Sequence, residues 1–221
     1  FTWEKEFLPA QNWNEVWEAN FQPVVVDDFC GIRAEFHEPL IGVEHELVIQ
    51  PKMAFGTGHH ETTFMCIQLM RDLPLAGTSV FDFGCGTGVL AILSSKLGAA
   101  CLDALDIEKE AVENTLENCQ RNGVENIHTW QGTLEDFLEK NMGNCRENGY
   151  DVVLANINRN VILASLPLLK ALIRAGGWAI FSGFIAEDES LMRLSLQEGG
   201  FEVEKIQRKN NWLAMLARAQ S

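Results

Sequence analysis

Residues 79–91 read SVFDFGCGTGVLA, and this run decides the architecture. SVFDF (79–83) has the apolar and aromatic content of a buried strand. The glycines after it permit a tight turn, and VLAILSSKL then reads as a covered helix that Gly98 can end. A strand, a glycine-rich turn and a helix in that order aim backbone N–H groups and the positive end of a helix dipole at one ligand.

The same alternation continues outward. CLDALDI (101–107) is a second strand, and EKEAVENTLENCQRN carries Ala111, Leu116 and Cys119 on an apolar stripe that stops at Gly123. NIHTW is a strand, TLEDFLEK a short helix and YDVVLAN (150–156) the fourth strand. A helix over Val161 to Arg174 contains Pro167, which should kink it or mark its first turn, and GWAIFSG follows as the fifth strand. After a helix over 187–199, FEVEKIQRK and NWLAMLAR read as strands joined by a polar turn at Asn210 and Asn211, hence antiparallel to each other. The expected fold is α/β, a mostly parallel sheet with helices on both faces and a reversed final strand.

Residues 1–50 differ in pattern. WNEVWEANF suggests an amphipathic helix with Trp13, Trp17 and Phe21 on one face, read as core packing, and VVVDD, GIRAEF and HELVIQP suggest short strands. The expected division is 1–50 as the closing part of an additional module and 51–221 as the main domain.

Composition narrows the function classes. With 221 residues, 47% of them hydrophobic and 22% charged, the chain has globular character. Its longest apolar runs break before the ~18 to 20 residues of a membrane span, and its first residues lack the pattern of a signal peptide, so the expected address is cytoplasmic with no membrane partner. The formal charge of −14 opposes direct nucleic-acid binding and welcomes a basic partner. Cysteines 30, 66, 85, 101, 119 and 145 form no CxxC pair and no Cys/His ligand spacing. They are expected to be reduced, mostly buried thiols, with no disulfide framework and no metal site.

Asp106 ends the second strand beyond the glycine loop, where its carboxylate could accept both hydroxyls of a ribose; an adenosine cofactor is therefore expected. Gly86-Thr87-Gly88-Val89-Leu90-Ala91 also satisfies the dinucleotide pattern, so a nicotinamide dehydrogenase has to be weighed. Asp82 argues against it. An acid just before the loop suits the cationic amino-acid end of S-adenosylmethionine, whereas a nearby pyrophosphate would be repelled. A buried carboxylate that ties the loop is the structural alternative for Asp82, and a strand-end turn residue that for Asp106.

MAFGTGHHETT (53–63), DFGCGTG (82–88), LDI (105–107) and VLANI (153–157) together resemble the methyltransferases that modify the large-subunit ribosomal protein L-eleven. The resemblance implies a class I methyltransferase, Rossmann-like, with a seven-stranded sheet, S-adenosyl-L-methionine as donor, and methylation of lysine side chains and the α-amine of that ribosomal protein. It implies cofactor contacts at Thr63, Gly84, Asp106 and Asn156. With the loop reading, the expected cofactor set is Phe55, Thr63, Asp82, Gly84, Gly86, Gly88, Asp106, Ile107 and Asn156.

The family is expected to need an N-terminal substrate-recognition domain joined by a linker helix, of which residues 1–50 would be the remnant. His60-Glu61 stands where the family usually has His-Pro, and Glu61 is expected to loosen the loop. Where many relatives of the wider class meet the adenine amine with an acid after the third strand, this chain has Gln131-Gly132-Thr133-Leu134, and Thr133 or a backbone group is the expected substitute.

Methyl transfer to an amine needs positioning more than proton chemistry on the leaving group. The expected catalytic residue is Asn156, whose amide oxygen could accept from the target amine; the competing role is a helix N-cap near Arg159. The chain also broadly resembles glutamine methyltransferases, which use Asn-Pro-Pro-Tyr at this strand end; Asn156-Ile157-Asn158-Arg159 stands here instead, so an amine acceptor is expected over an amide. Another amine acceptor, or a noncatalytic cofactor-binding module, is the alternative function. His59 and His60 lack partners for a metal and are expected to brace the loop. Residues 53–60 are expected to act as a flap with Phe55 over the cofactor and Thr63 at its polar end.

Overall fold

The computed structural model describes residues 22–50, 60–140, 143–145 and 149–221. The Trp13, Trp17 and Phe21 helix, Phe55 with most of the expected flap, and His59 lie outside the described residues. Three short strands come first: β1 (Val24–Val26), β2 (Cys30–Arg33) and β3 (His45–Val48). β2 pairs antiparallel with β1 and parallel with β3.

The main sheet follows α1 (Glu61–Met70). Its strands are β4 (Ser79–Phe83), β5 (Cys101–Asp106), β6 (Ile127–Gln131), β7 (Tyr150–Asn156), β8 (Ile173–Ile185), β9 (Phe201–Lys209) and β10 (Trp212–Ala219). The helices between them are α2 (Val89–Lys96), α3 (Lys109–Asn122), α4 (Leu134–Glu139), α5 (Arg159–Leu172) and α6 (Glu189–Glu198). The spatial order β6-β5-β4-β7-β8-β10-β9 has seven strands, and only β10 runs against its neighbours. The reversal follows from the short Asn210-Asn211 connection. Asn210 takes a positive φ of 52°, a conformation that asparagine tolerates in tight turns. Pro167 lies inside the continuous helix α5.

Alternate residues of the buried strands feed two separate cores. Val80, Leu102, Val152, Leu154 and Ile180 pack with α1, α2 and the small N-terminal sheet. Phe81, Phe83, Val153, Ala155 and Phe181 pack with α4, α5 and α6. This is why the parallel strands read as unbroken apolar runs: both faces are covered. β3 is fastened to α3 as well, since Asn122 exchanges hydrogen bonds with the backbone of Val48 at 3.0 and 2.7 Å.

The thiol expectation needs correction. Cys101 and Cys145 form a disulfide with Cα atoms 5.6 Å apart, whereas Cys30, Cys66, Cys85 and Cys119 are free and buried as expected. The bonded pair is 44 residues apart in sequence and carries no local motif. Only folding brings the loop before β7 onto the start of β5. Unfolded in denaturant without reductant, the isolated chain is expected to titrate four thiols, and six after reduction; six in both cases would contradict the bond.

Candidate active site

The carboxyl ends of β4, β5, β7 and β8 open into one cavity of about 920 Å³. Open α/β sheets bind ligands at this edge, because the strand order reverses there and the loops diverge. β10 is antiparallel, so it contributes its beginning, Trp212, to the same edge.

Asp82, Gly84, Gly86, Asp106, Thr63 and Asn156 all line the cavity. Gly84 has a φ of +77°, and a side chain there would meet Ile157 at 2.9 Å, so glycine lets the loop pass beneath the β7 end. Gly88 is not among the lining residues. A side chain there would meet Thr115 of α3 at 2.8 Å, which makes Gly88 a packing residue that lets α3 approach the loop. Thr115 completes that contact by donating to the Gly86 carbonyl at 3.0 Å. Ile107 lies between the lining residues Asp106 and Glu108 with 62% of its surface exposed.

Asp106 holds the loop in shape. Its two oxygens accept from the Gly86 N–H at 2.9 Å and the Glu108 N–H at 3.0 Å. Each oxygen keeps a second lone pair for a ligand hydroxyl. Asp82 sits on the same strand face as Val80, yet its Oδ2 has no hydrogen-bond partner among the described residues. Burial pushes its carboxyl up to about 7; the Ala91 backbone at the start of α2 opposes this, and the Asp106 charge adds to it. The Ala91 contact ties the start of α2 through one oxygen, and the other lies buried on the cavity wall, where a donor or a cation could meet it.

Asn156 donates from Nδ2 to Thr63 Oγ1 at 3.1 Å, which fixes the amide plane. The helix-cap alternative for Asn156 fails, because Asn158 caps α5 by accepting from Val161 N–H at 3.2 Å. His60 caps α1, accepting from Thr62 N–H, and lies edge-on to Trp212 with ring centroids 4.5 Å apart. It braces the helix start, whereas the loop it was expected to brace lies outside the described residues. The loop that Glu61 was expected to loosen lies outside them as well. Glu61 itself occupies the first helical turn, where the dipole favours an acid, and accepts from Asn210 Nδ2 at 2.7 Å. Thr133 is spent on another task, capping α4 through a reciprocal pair with Asp136, and does not line the cavity.

Sequence reading missed Glu108, Glu110, Asn158, Gly183 and Trp212, all of which line the cavity. Glu108 and Glu110 sit at the start of α3, directly after the acid that was found. Trp212 carried a usable signal, since the first residue of a reversed strand must fall at the carboxyl edge of its parallel neighbours. Gly183 has a φ of +97°, and a side chain there would collide with the Ile157 carbonyl. Gly183→Ala is therefore expected to destabilise the fold by about 2 kcal/mol or more, read as a lowered urea midpoint; an unchanged midpoint would show that the Ile157 turn can yield.

Asp82, Asp106, Glu108 and Glu110 give the cavity an acidic wall. That field suits a cationic ligand and a basic acceptor. The model of the ribosomal protein L11 methyltransferase (PrmA) family matches residues 1–220. The chain belongs to this family. A ribosomal protein L11 methyltransferase of Phocaeicola vulgatus is 42% identical over 206 residues, 93% of this chain and 71% of that protein. One of Porphyromonas gingivalis is 38% identical over 214 residues, 96% and 71% of the two chains. Among solved structures, a ribosomal protein L11 methylase from Lactobacillus delbrueckii subsp. bulgaricus shares the fold. Its TM-score is 0.80 at 24% identity, covering 91% of this chain and all of that one. A putative methyltransferase solved with S-adenosylhomocysteine gives a TM-score of 0.60 at 13% identity, over 73% of this chain and 50% of that one. The PrmA family frame thus accounts for the class I α/β architecture and for S-adenosylmethionine as the methyl donor.

Proposed function

We propose that the chain transfers methyl groups from S-adenosylmethionine to amines of ribosomal protein L11, on lysine side chains and at the N-terminus. One observation carries the reading: a single cavity holds both a buried carboxylate with an open oxygen, Asp82, and an amide whose direction is fixed, Asn156. The family membership and the names of the relatives support the acceptor.

Asp82 suits the ammonium of the donor's amino-acid end, Asp106 the ribose hydroxyls and the exposed Ile107 side chain an adenine face. Gly84 and Gly86 supply close backbone approach, and Gly88 serves indirectly by admitting α3. Thr63 is bonded to Asn156, and Phe55 joins the set as the cover of the cofactor on the flap reading. When bound, S-adenosylmethionine supplies an electrophilic methyl group on a sulfonium that needs no protonation to leave.

The chain's own task is to deliver a neutral amine. With Nδ2 committed to Thr63, Asn156 presents Oδ1 as an acceptor that can hold an amine N–H and aim the nitrogen lone pair. The acidic wall collects the protonated lysine. A proton must then leave before attack, because the lysine reference pKa is about 10.4.

Residues 51–221 form the methyltransferase unit on this reading, and residues 1–50 its connection toward the acceptor. Among the described residues no helix is long and apolar enough to cross a membrane. A cytoplasmic location, with neither nucleic acid nor membrane as direct partner, completes the proposal. The test is mass spectrometry of purified ribosomal protein L11 after incubation with the chain and isotopically labelled cofactor. Labelled methyl groups on its amines are expected. Cofactor binding without any transfer, also in a protein that carries an N-terminal recognition domain, would overturn the catalytic reading.

A further inference from the structure

At the far end of β5 from Asp106, a second cluster is built from residues the methyl-transfer site does not use. Cys101 starts the strand, and about five residues at ~3.3 Å each separate it from the cofactor edge. In the parallel register Asp103 faces His128 of β6, and Cys101 lies on the same strand face as Asp103. Cys145 comes down on this face from the loop before β7. The ligand atoms of Cys101, His128 and Cys145 all lie within 4.8 Å of one another, and each side chain is partly exposed.

The position of Cys145 does not depend on the disulfide alone. Asp103 is fully buried and accepts from the Asn144 and Cys145 backbone N–H groups at 3.1 Å, from Tyr150 Oη at 2.7 Å and from Trp130 Nε1 at 2.7 Å. These bonds anchor residues 144 and 145 to β5 and keep the two sulfur atoms opposed when the bond between them opens. With so many donors to satisfy, Asp103 is not free to act as a ligand itself.

We propose that Cys101, Cys145 and His128 form a redox-gated zinc site, closed as a disulfide when oxidised and open to Zn²⁺ when reduced. A dithiol reductant opens it. Its two sulfur atoms give up two electrons and two protons, the Cys101–Cys145 bond breaks, both cysteines become thiols, and the reductant leaves as a cyclic disulfide. Zinc then replaces the two thiol protons, which pass to solvent. Two thiolates balance the metal charge, and the neutral imidazole of His128 donates a lone pair. No electron moves in that second step. Two sulfur donors and one nitrogen match the preference of Zn²⁺ for cysteine and histidine and disfavour hard cations such as Mg²⁺; a fourth position is left for water. The other cysteines do not compete. Burial pushes the thiols of Cys30 and Cys66 up to about 12 and Cys119 up to about 11, and raises Cys85 as well, so none readily yields a thiolate.

The test uses the full chain, reduced with a phosphine, freed of it by gel filtration without oxygen, and titrated with Co²⁺ as a spectroscopic stand-in for zinc. One Co²⁺ per chain is expected, with a thiolate-to-cobalt charge-transfer band and tetrahedral d–d bands that Zn²⁺ abolishes. The oxidised chain should show neither. Cys101→Ser and Cys145→Ser, near-isosteric changes at partly exposed positions, should each remove most of the charge-transfer intensity. His128→Ala should weaken binding roughly tenfold or more while the thiolate band survives. A reduced chain without the band, or a band unchanged in Cys145→Ser, would overturn the site. Unchanged affinity in His128→Ala would overturn the three-ligand assignment.

Discussion

Asn156→Ala is expected to lower kcat for methylation of ribosomal protein L11 by about 100-fold, the scale on which misplaced reacting groups lose rate. The cofactor dissociation constant should rise by roughly tenfold at most, because a single neutral hydrogen bond is worth about 1 kcal/mol. One amide divides the labour. Nδ2 is held by Thr63, so the carbonyl oxygen points in a fixed direction at the end of β7. Alanine removes the acceptor and keeps the backbone. Thr63→Val separates the two parts of the idea: it leaves the Asn156 oxygen in place and frees its plane, so an intermediate loss of kcat is expected. Equal activity of Asn156→Ala and the unchanged enzyme in single-turnover assays would remove Asn156 from the chemistry.

Asp82→Asn should weaken S-adenosylmethionine binding by about 10- to 100-fold, since a charge-assisted pair at a buried carboxylate is worth roughly 1.5 to 3 kcal/mol. A pH effect accompanies it. The Asp82 carboxyl is raised from 3.8 to about 7 in the ligand-free fold. Between those values the folded chain holds a proton that the unfolded chain has released, so the contribution of Asp82 to stability declines as pH rises across this window and levels off above 7. A cationic ligand reverses the preference by favouring the ionised form. Cofactor affinity should therefore climb between pH 6 and 8 in the native chain and stay nearly flat in Asp82→Asn, as calorimetry at several pH values would reveal. Parallel pH profiles for the two proteins would mean that Asp82 does not meet the cation.

Much of this was legible because the relevant signals are local. The seven strands of the main sheet were read from apolar runs of the right length, and the reversed β10 from a turn two residues long. The acids at 82 and 106 were found because each lies at a strand end beside the glycine loop. Other roles depend on partners that the local pattern does not show. Gly88 satisfied a motif, but its neighbour is Thr115 on another helix, so its glycine serves packing. Glu61 gains its partner, Asn210, from the far end of the chain. Cys101 and Cys145 had no spacing to advertise them, because the loop between α4 and β7 brings them together. Thr133 looked available for adenine, but a capping partner only three residues on had already claimed its hydroxyl.

Asn118 of α3 fastens two parts of the fold with one side chain. From one fully buried side chain it donates to the Thr87 carbonyl in the glycine loop at 2.9 Å and accepts from the Gln50 N–H at 2.9 Å. One amide thus rivets the cofactor floor to the strand end that precedes the main sheet, and a change that removes it would loosen both at once.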